Sequence, residues 1–302
     1  MRICSLVPGG TEILYALGLG ADVVGVSHEC DYPPAVRGKP VVVHSVIDQD
    51  GASSAAIDAA VRRSLETGEG LYRVDEDLLL RLRPDLIVTQ SLCEVCAVNG
   101  GQVAAAVRRL PDRPEIVSLH PHTLEESLAE IRLLGERTGR LAEAERLVAA
   151  FRARLQALAG RLAGAGCPRV FCLEWLEPPM ASGHWVPEMV ERAFGVEVLG
   201  RTGQPSRYVT WEEVSAAQPD VLILMPCGFP IDRTRRELAL LARQAWWRTL
   251  PAVRDGRVYA VNGPAYFNRS GPRLVDGIEL LAGLLHPDRC ADLIPDDAAL
   301  AC

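Results

Sequence analysis

Short apolar runs alternate with longer amphipathic stretches along this chain. The runs are ICSLV (3–7), VVGVS (23–27), DLIVTQ (85–90), EIVSL (115–119), VFCLEW (170–175), VLILM (221–225) and VYAV (258–261). They are rich in β-branched residues and are flanked by Pro or Gly, the pattern of buried parallel strands. Helical patterns lie between them, at Thr11–Leu19, Val103–Arg109, Pro187–Phe194 and Trp211–Ala217. Such alternation predicts an α/β fold with parallel-type sheets. A longer helical stretch without proline runs from Thr123 to Ala165, opened by Thr123 and Glu126 at capping-box spacing. Gly135, Gly139 and Gly160 are expected to weaken this helix without stopping it. The segment 35–72 reads as an insertion with a helix around Ser54–Glu66.

The two ends of the chain echo each other. RICSL (2–6) resembles RVFCL (169–173), LLRLRPDLIV (79–88) resembles VSAAQPDVLI (214–223), and PEIVSL (114–119) resembles GRVYAV (256–261). The repeat predicts two similar lobes, 1–122 and 167–302, joined by a single long helix over 123–166, with a ligand cleft between the lobes.

Composition narrows the function. The 302 residues are 48% hydrophobic and 24% charged, so disorder is a poor description. A net charge of −7 argues against nucleic-acid binding. No window approaches the roughly 18 apolar residues of a membrane span, so none is expected. No basic segment with a long apolar stretch precedes the first strand. As written the chain is expected to be cytoplasmic with reduced thiols, or periplasmic or cell-surface if the N-terminus is truncated. The nine cysteines are odd in number and cannot all pair within one chain.

Ligands of open α/β sheets bind beyond the carboxyl ends of the strands. Those ends carry Pro8-Gly9-Gly10-Thr11, Ser27–Pro34, Ser91–Cys96, Glu174–Pro179, Pro226–Phe229 and Asn262–Arg269. The glycine turn lacks the Walker lysine and the GxGxxG spacing, which argues against a nucleotide. Cys4, Cys167 and Cys172 read as core filler, and Cys290 and Cys302 as incidental to the tail. The others converge on the strand ends. Cys30, Cys93, Cys96 and Cys227, with His28 and His184, are candidate ligands for zinc or an iron–sulfur centre. The Cys93-x-x-Cys96 spacing also fits a thiol redox pair. Against both stands a plain binding protein, in which these residues line a site without catalysis.

SLVPGGTEILYALG (5–18), VVGV (23–26), CDYPP (30–34), LRPDLIV (82–88), the segment from Val170 to Gly183, and YFNRSGPR (266–273) resemble the class III substrate-binding proteins of ABC importers. Within that family the resemblance is to the vitamin B12-binding members. It implies two α/β lobes on a long helix, no enzymatic activity, and a corrinoid (cobalamin-like) or related tetrapyrrole ligand held in the interlobe cleft. Whether as an importer component or a leaderless intracellular relative, the chain would bind through Tyr32, Glu94, Trp175, Trp185, Phe229, Tyr266 and Phe267, with Arg269 on the ligand's polar rim. A cleft thiol or imidazole would be placed to ligate the ligand's metal. The family docks an ABC importer permease through acidic residues on each lobe. Glu212 or Glu213 matches one such position, while the other falls near Ala97–Gly100, where no acid stands.

Overall fold

The computed structural model describes residues 1–47, 51–68, 70–91, 107, 113–244 and 246–302. The chain divides into two compact units. The first comprises Met1–Ala52, Ala56–Pro121 and Glu125–Ala149; the second comprises Ser53–Ala55, His122–Leu124 and Ala150–Cys302.

The first unit is built on strands β1 (Ile3–Ser5), β2 (Val23–Ser27), β3 (Val41–Ser45), β4 (Tyr72–Val74), β5 (Leu86–Gln90) and β6 (Glu115–Leu119), in the order β4-β3-β2-β1-β5-β6. All neighbours are parallel except β3 and β4. β1 and β5 are buried throughout, as the unbroken apolar runs require for central strands. β6 is an edge strand with Glu115, Ile116 and Ser118 exposed, so its apolar run was misleading about burial. Cys4, Leu6, Val42, Val43, Leu79 and Ile87 form one apolar cluster, with Leu78, Leu80 and Leu82 of the helix Glu76–Leu82 packed against it.

The second unit has strands β7 (Arg169–Trp175), β8 (Met180–Ala181), β9 (Val196–Glu197), β10 (Arg207–Tyr208), β11 (Val221–Leu224), β12 (Val258–Val261) and β13 (Ala299–Ala301). Their order is β10-β8-β7-β11-β12-β13, with β9 added on β7. The β7-β11-β12 centre is parallel, and β8, β10 and β13 pair antiparallel.

The sequence repeat is a repeat of hydrogen bonds. The Asp85 carboxylate accepts from the Arg2 N–H at 2.7 Å, and the Asp220 carboxylate accepts from the Arg169 N–H at 2.8 Å. The Arg2 side chain donates to the Leu82 carbonyl and the Arg169 side chain to the Ala217 carbonyl, each at 2.7 Å. Each arginine thus satisfies a carbonyl at the end of a helix, where the intrahelical ladder has run out. Both helices stop at a left-handed residue before the Pro-Asp turn, Arg83 (φ 44°) in one and Gln218 (φ 45°) in the other. One bracket therefore aligns the first and fifth strands of each unit, β1 with β5 and β7 with β11.

The stretch expected as a single helix over 123–166 is two helices, Leu124–Arg137 and Leu141–Leu162. Gly139 adopts φ +69°, a left-handed conformation that ends a helix, so this glycine stops what it was expected only to weaken. Gly135 faces the second helix so closely that a Cβ would lie 2.5 Å from that of Ala144. The border between the units falls within the 22-residue second helix, at Ala149/Ala150. Its later half is fastened to the second unit. Arg154 bridges Asp276 and Glu279 at 2.7 and 2.5 Å, and Arg161 pairs with Asp292 at 2.5 Å.

Candidate functional site

In the first unit β1 ends at Ser5, and the helix Pro8–Ala16 opens with Pro8 in its first turn. Gly10 is required by packing: a Cβ there would stand 2.8 Å from Val88 Cγ1 of β5. The glycine turn is thus explained by the close approach of helix and sheet. A polar cluster sits at the same end. The buried Thr11 hydroxyl lies 2.8 Å from Ser5 Oγ and 3.0 Å from Cys30 Sγ, and Ser27 Oγ is 3.4 Å from the same sulfur. The Cys30 thiol is therefore engaged by hydroxyls. His28 places Nδ1 3.1 Å from the Val43 carbonyl and Nε2 3.3 Å from Glu29, and that carboxylate raises its pKa. Both ring nitrogens are occupied within this unit. Tyr32, after a loop that includes Cys30, is 43% exposed.

In the second unit Trp175 ends β7 and is half-buried. Its ring meets that of fully buried Phe229 at 5.0 Å, and the Arg233 guanidinium lies 3.7 Å over the far aromatic partner, Phe229. Cys227 is half-buried, and its N–H bonds the Glu174 carbonyl at 3.2 Å. Gly183 admits the backbone of the loop opposite: a Cβ would fall 2.4 Å from the Gln204 carbonyl oxygen and from the Ser206 nitrogen. That contact positions His184, whose ring lies 5.5 Å from His122 and 5.9 Å from Trp185. Trp185 is only 5% exposed and donates through Nε1 to the Phe267 carbonyl at 2.8 Å. Phe267 is fully buried, and Tyr266 and Arg269 on either side of it are half-buried. The short helix Gly263–Tyr266 is capped by the Asn262 side chain, which accepts from the Ala265 N–H.

The structure thus sorts the aromatic candidates. Tyr32, Trp175 and Tyr266 keep accessible surface, while Trp185, Phe229 and Phe267 are buried. Arg233 was absent from the expectation, although its spacing of four residues from Phe229 was a visible signal. Thr11 and Ser27 stand at strand ends named from the sequence, while the Ser5 hydroxyl was missed, because a small polar residue inside an apolar run carries no periodicity.

Glu94, Cys93 and Cys96 lie outside the described residues. Among the described residues no group of three His, Cys, Asp or Glu side chains could hold a metal ion, so the cysteine-ligated centre has no support there. The described cysteines are free thiols. Cys4 and Cys172 are core residues, as expected. Burial pushes the Cys4 thiol up to about 12, and burial beside Glu197 raises Cys172 well above its ordinary value. Cys167, expected in the core, is exposed, because the chain is still turning between the connecting helix and β7. Cys290, expected in a loose tail, is buried. Alkylation of the native protein at neutral pH, read by mass spectrometry, should therefore label the exposed Cys167 and leave Cys4 and Cys172 unlabelled until the chain unfolds. Rapid labelling of Cys4 would show that the first unit's core opens.

Comparison with known proteins decides the family. The sequence profile of the periplasmic binding proteins matches residues 3–265. The chain belongs to this periplasmic binding protein family. Its members are solute-binding proteins, and the chain is accordingly a binding protein rather than an enzyme. It is similar to the vitamin B12-binding protein of Vibrio cholerae, with 29% identity over 281 residues, 92% of this chain and 86% of the relative. It is also similar to an ABC transporter substrate-binding lipoprotein of Bacillus subtilis, YvrC, with 26% identity over 95% of this chain and 80% of the relative. Among solved structures, the periplasmic vitamin B12-binding protein BtuF of Vibrio cholerae superposes with a TM-score of 0.66 at 27% identity, covering 94% of this chain and 96% of that one. A periplasmic heme-binding protein of Pseudomonas aeruginosa superposes at 0.72 with 20% identity, covering 95% and 93%, and shares the fold. The two-lobe α/β fold of the binding proteins is thereby established for this chain. No helix among the described residues is long and apolar enough to cross a membrane. These relatives are named periplasmic proteins or a lipoprotein, and a cytoplasmic location finds no support among them.

Proposed function

We propose that this chain is the substrate-binding component of an ABC importer, working outside the cytoplasmic membrane, with a corrinoid as its cargo. The similarity to vitamin B12-binding proteins over nine-tenths of the chain carries the ligand class. The accessible aromatic side chains at strand ends of each unit agree with it. A corrinoid is large, flat and rigid, and it gains most from broad apolar faces that lose little entropy on binding. Tyr32 from the first unit and Trp175 and Tyr266 from the second supply such faces. Arg269 supplies a charged donor for the ligand's amide rim. Trp185, Phe229 and Phe267 hold those groups in position.

Docking to a permease falls to Glu212 rather than Glu213. Glu213 is committed: it completes a capping box with Thr210 and pairs with Arg207 at 3.1 Å, which holds its carboxyl below the ordinary range. Glu212 is exposed and forms no ion pair among the described residues.

Titration of the full chain with cobalamin and with cobinamide, followed by visible absorption, tests the ligand. Saturable one-to-one binding is expected, weakened about tenfold or more by Trp175→Ala or Tyr32→Ala. No binding of either corrinoid up to high micromolar concentration overturns the proposal. Saturable binding of heme under the same conditions would then reassign the cargo.

A further inference from the structure

The second unit carries a hollow lined by none of the aromatic groups proposed to bind the corrinoid, although it shares Glu212 with the proposed permease contact. It measures about 360 Å³ and is lined by Trp211, Glu212, Ser215, Ala216 and Trp246. Trp211 and Trp246 stack at 4.3 Å between ring centroids and 19° between planes, and Trp247 meets Trp246 edge-on at 5.8 Å. The chain has five tryptophans, and this wall takes two of them, both half-buried and neither needed to fill the core.

The charge pattern is as specific as the wall. Thr210 caps the helix Trp211–Ala217, and Glu213 already answers both the cap and Arg207. The Glu212 carboxylate, one residue earlier, lines the hollow and forms no ion pair among the described residues. An indole face attracts cations through its quadrupole, and tryptophan does so best of the aromatic side chains. A carboxylate beside two indoles therefore selects a cation. The lining names its type as well. Among the described residues of the wall only Glu212 and Ser215 have side chains that accept hydrogen bonds readily, which gives the wall little to match the five N–H donors of a guanidinium. A methylated ammonium has few or no such donors, and its methyl groups suit the indole faces. The volume lies at the small end of small-molecule sites.

We propose that this hollow is a second binding site of the chain, for a small methylated or quaternary ammonium compound. The site is complete within the second unit and does not depend on what the aromatic groups at the strand ends bind.

The test uses the indole N–H signals of the full ¹⁵N-labelled chain, with those of Trp211 and Trp246 assigned through Trp211→Phe and Trp246→Phe. Choline is the cationic probe, and 3,3-dimethylbutanol, its uncharged isostere, is the control. We expect choline to shift the signals of Trp211 and Trp246 saturably, with the isostere at least tenfold weaker. Glu212→Gln should weaken choline at least threefold, and Trp246→Leu should abolish the response. Should Trp246→Leu fail to fold, the comparison of the two probes on the wild type decides alone. Equal response to both probes, a shift of all five indoles together, or no shift at 100-fold excess over protein overturns the proposal. So does an arginine-containing peptide that saturates the site where choline does not.

Discussion

Glu197→Ala should destabilise the second unit by about 2 kcal/mol or more, since it removes the shared acceptor of three part-buried donors at once. Glu197 sits on β9, is half-buried, and accepts backbone N–H bonds from Cys172 at 3.0 Å and from Leu199 and Gly200 at 3.1 Å. Truncation takes this acceptor from three part-buried N–H groups, each costing up to about 1–3 kcal/mol where water does not replace it. The loop it ties packs tightly: a Cβ on Gly200 would lie 2.5 Å from the Ser182 carbonyl, next to Gly183 and His184. Loosening the loop should therefore also disturb the proposed binding face. All five tryptophans lie in the second unit, so urea unfolding followed by tryptophan fluorescence reports this unit. The midpoint should fall with little change in slope. An unchanged midpoint would mean that the loop is held by other contacts. The pH dependence has a definite sign. Burial raises the Glu197 carboxyl above its ordinary value against the opposing effect of the backbone donors. The folded state then favours the protonated form. Its contribution is full below the unfolded pKa of about 4.3 and is lost as pH rises through the raised folded value. Measured against Glu197→Gln, whose side chain stays neutral, the wild type should be at its best near the acid end and lose ground as pH rises.

How far the chain could be read depended on where the information was local. The runs at 23–27, 115–119 and 258–261 became strands with those same bounds, because unbroken apolar stretches bracketed by turn residues have few other uses. The internal repeat was legible for the same reason, and Asp85 and Asp220 show that it encodes a hydrogen-bonded bracket as well as a pattern. The two-residue strands β8, β9 and β10 were not legible, since they exist only by pairing with β7 or with each other. β3 was lost inside the supposed insertion, although VVVHS has the composition of a strand; its neighbour β4 lies 26 residues farther on, and only the fold joins them. Gly139 shows the limit of reasoning by propensity, which weighs a glycine's average cost and not the left-handed conformation that one position adopts. At the site, topology told which loops to inspect. It did not tell which aromatic of an adjacent pair faces outward: Tyr266 and Phe267 look alike in sequence, yet one keeps accessible surface and the other has none. The Trp211–Trp246 pair, 35 positions apart, was invisible until the chain folded.

Phe267→Ala should produce the other large effect, a loss of about 3–5 kcal/mol, because it empties a fully enclosed aromatic position. The cost would not stay in the core. The Phe267 carbonyl accepts the Trp185 indole N–H, so a shift of this backbone threatens a buried hydrogen bond as well. The neighbouring turn has little room to adjust. A Cβ on Gly277 would stand 2.4 Å from the Tyr266 carbonyl, and one on Gly263 would stand 2.8 Å from that of Met225, which also accepts from Asn268 at 3.3 Å. Tyr266 and Arg269 therefore ride on a turn pinned by the helix Leu274–Leu285 behind it and by Phe267 beneath it. Removing the ring should lower both the unfolding midpoint and the affinity for a corrinoid, the latter by about tenfold or more, the equivalent of about 1.4 kcal/mol. Phe267→Leu separates packing from surface contact. It restores most of the volume, so it should recover stability to within about 1.5 kcal/mol of the wild type and recover affinity with it. If Phe267→Leu regained stability but not affinity, the ring itself would touch the ligand, and its assignment as a support would be wrong. If Phe267→Ala bound as tightly as the wild type while less stable, Tyr266 and Arg269 would not belong to the binding surface.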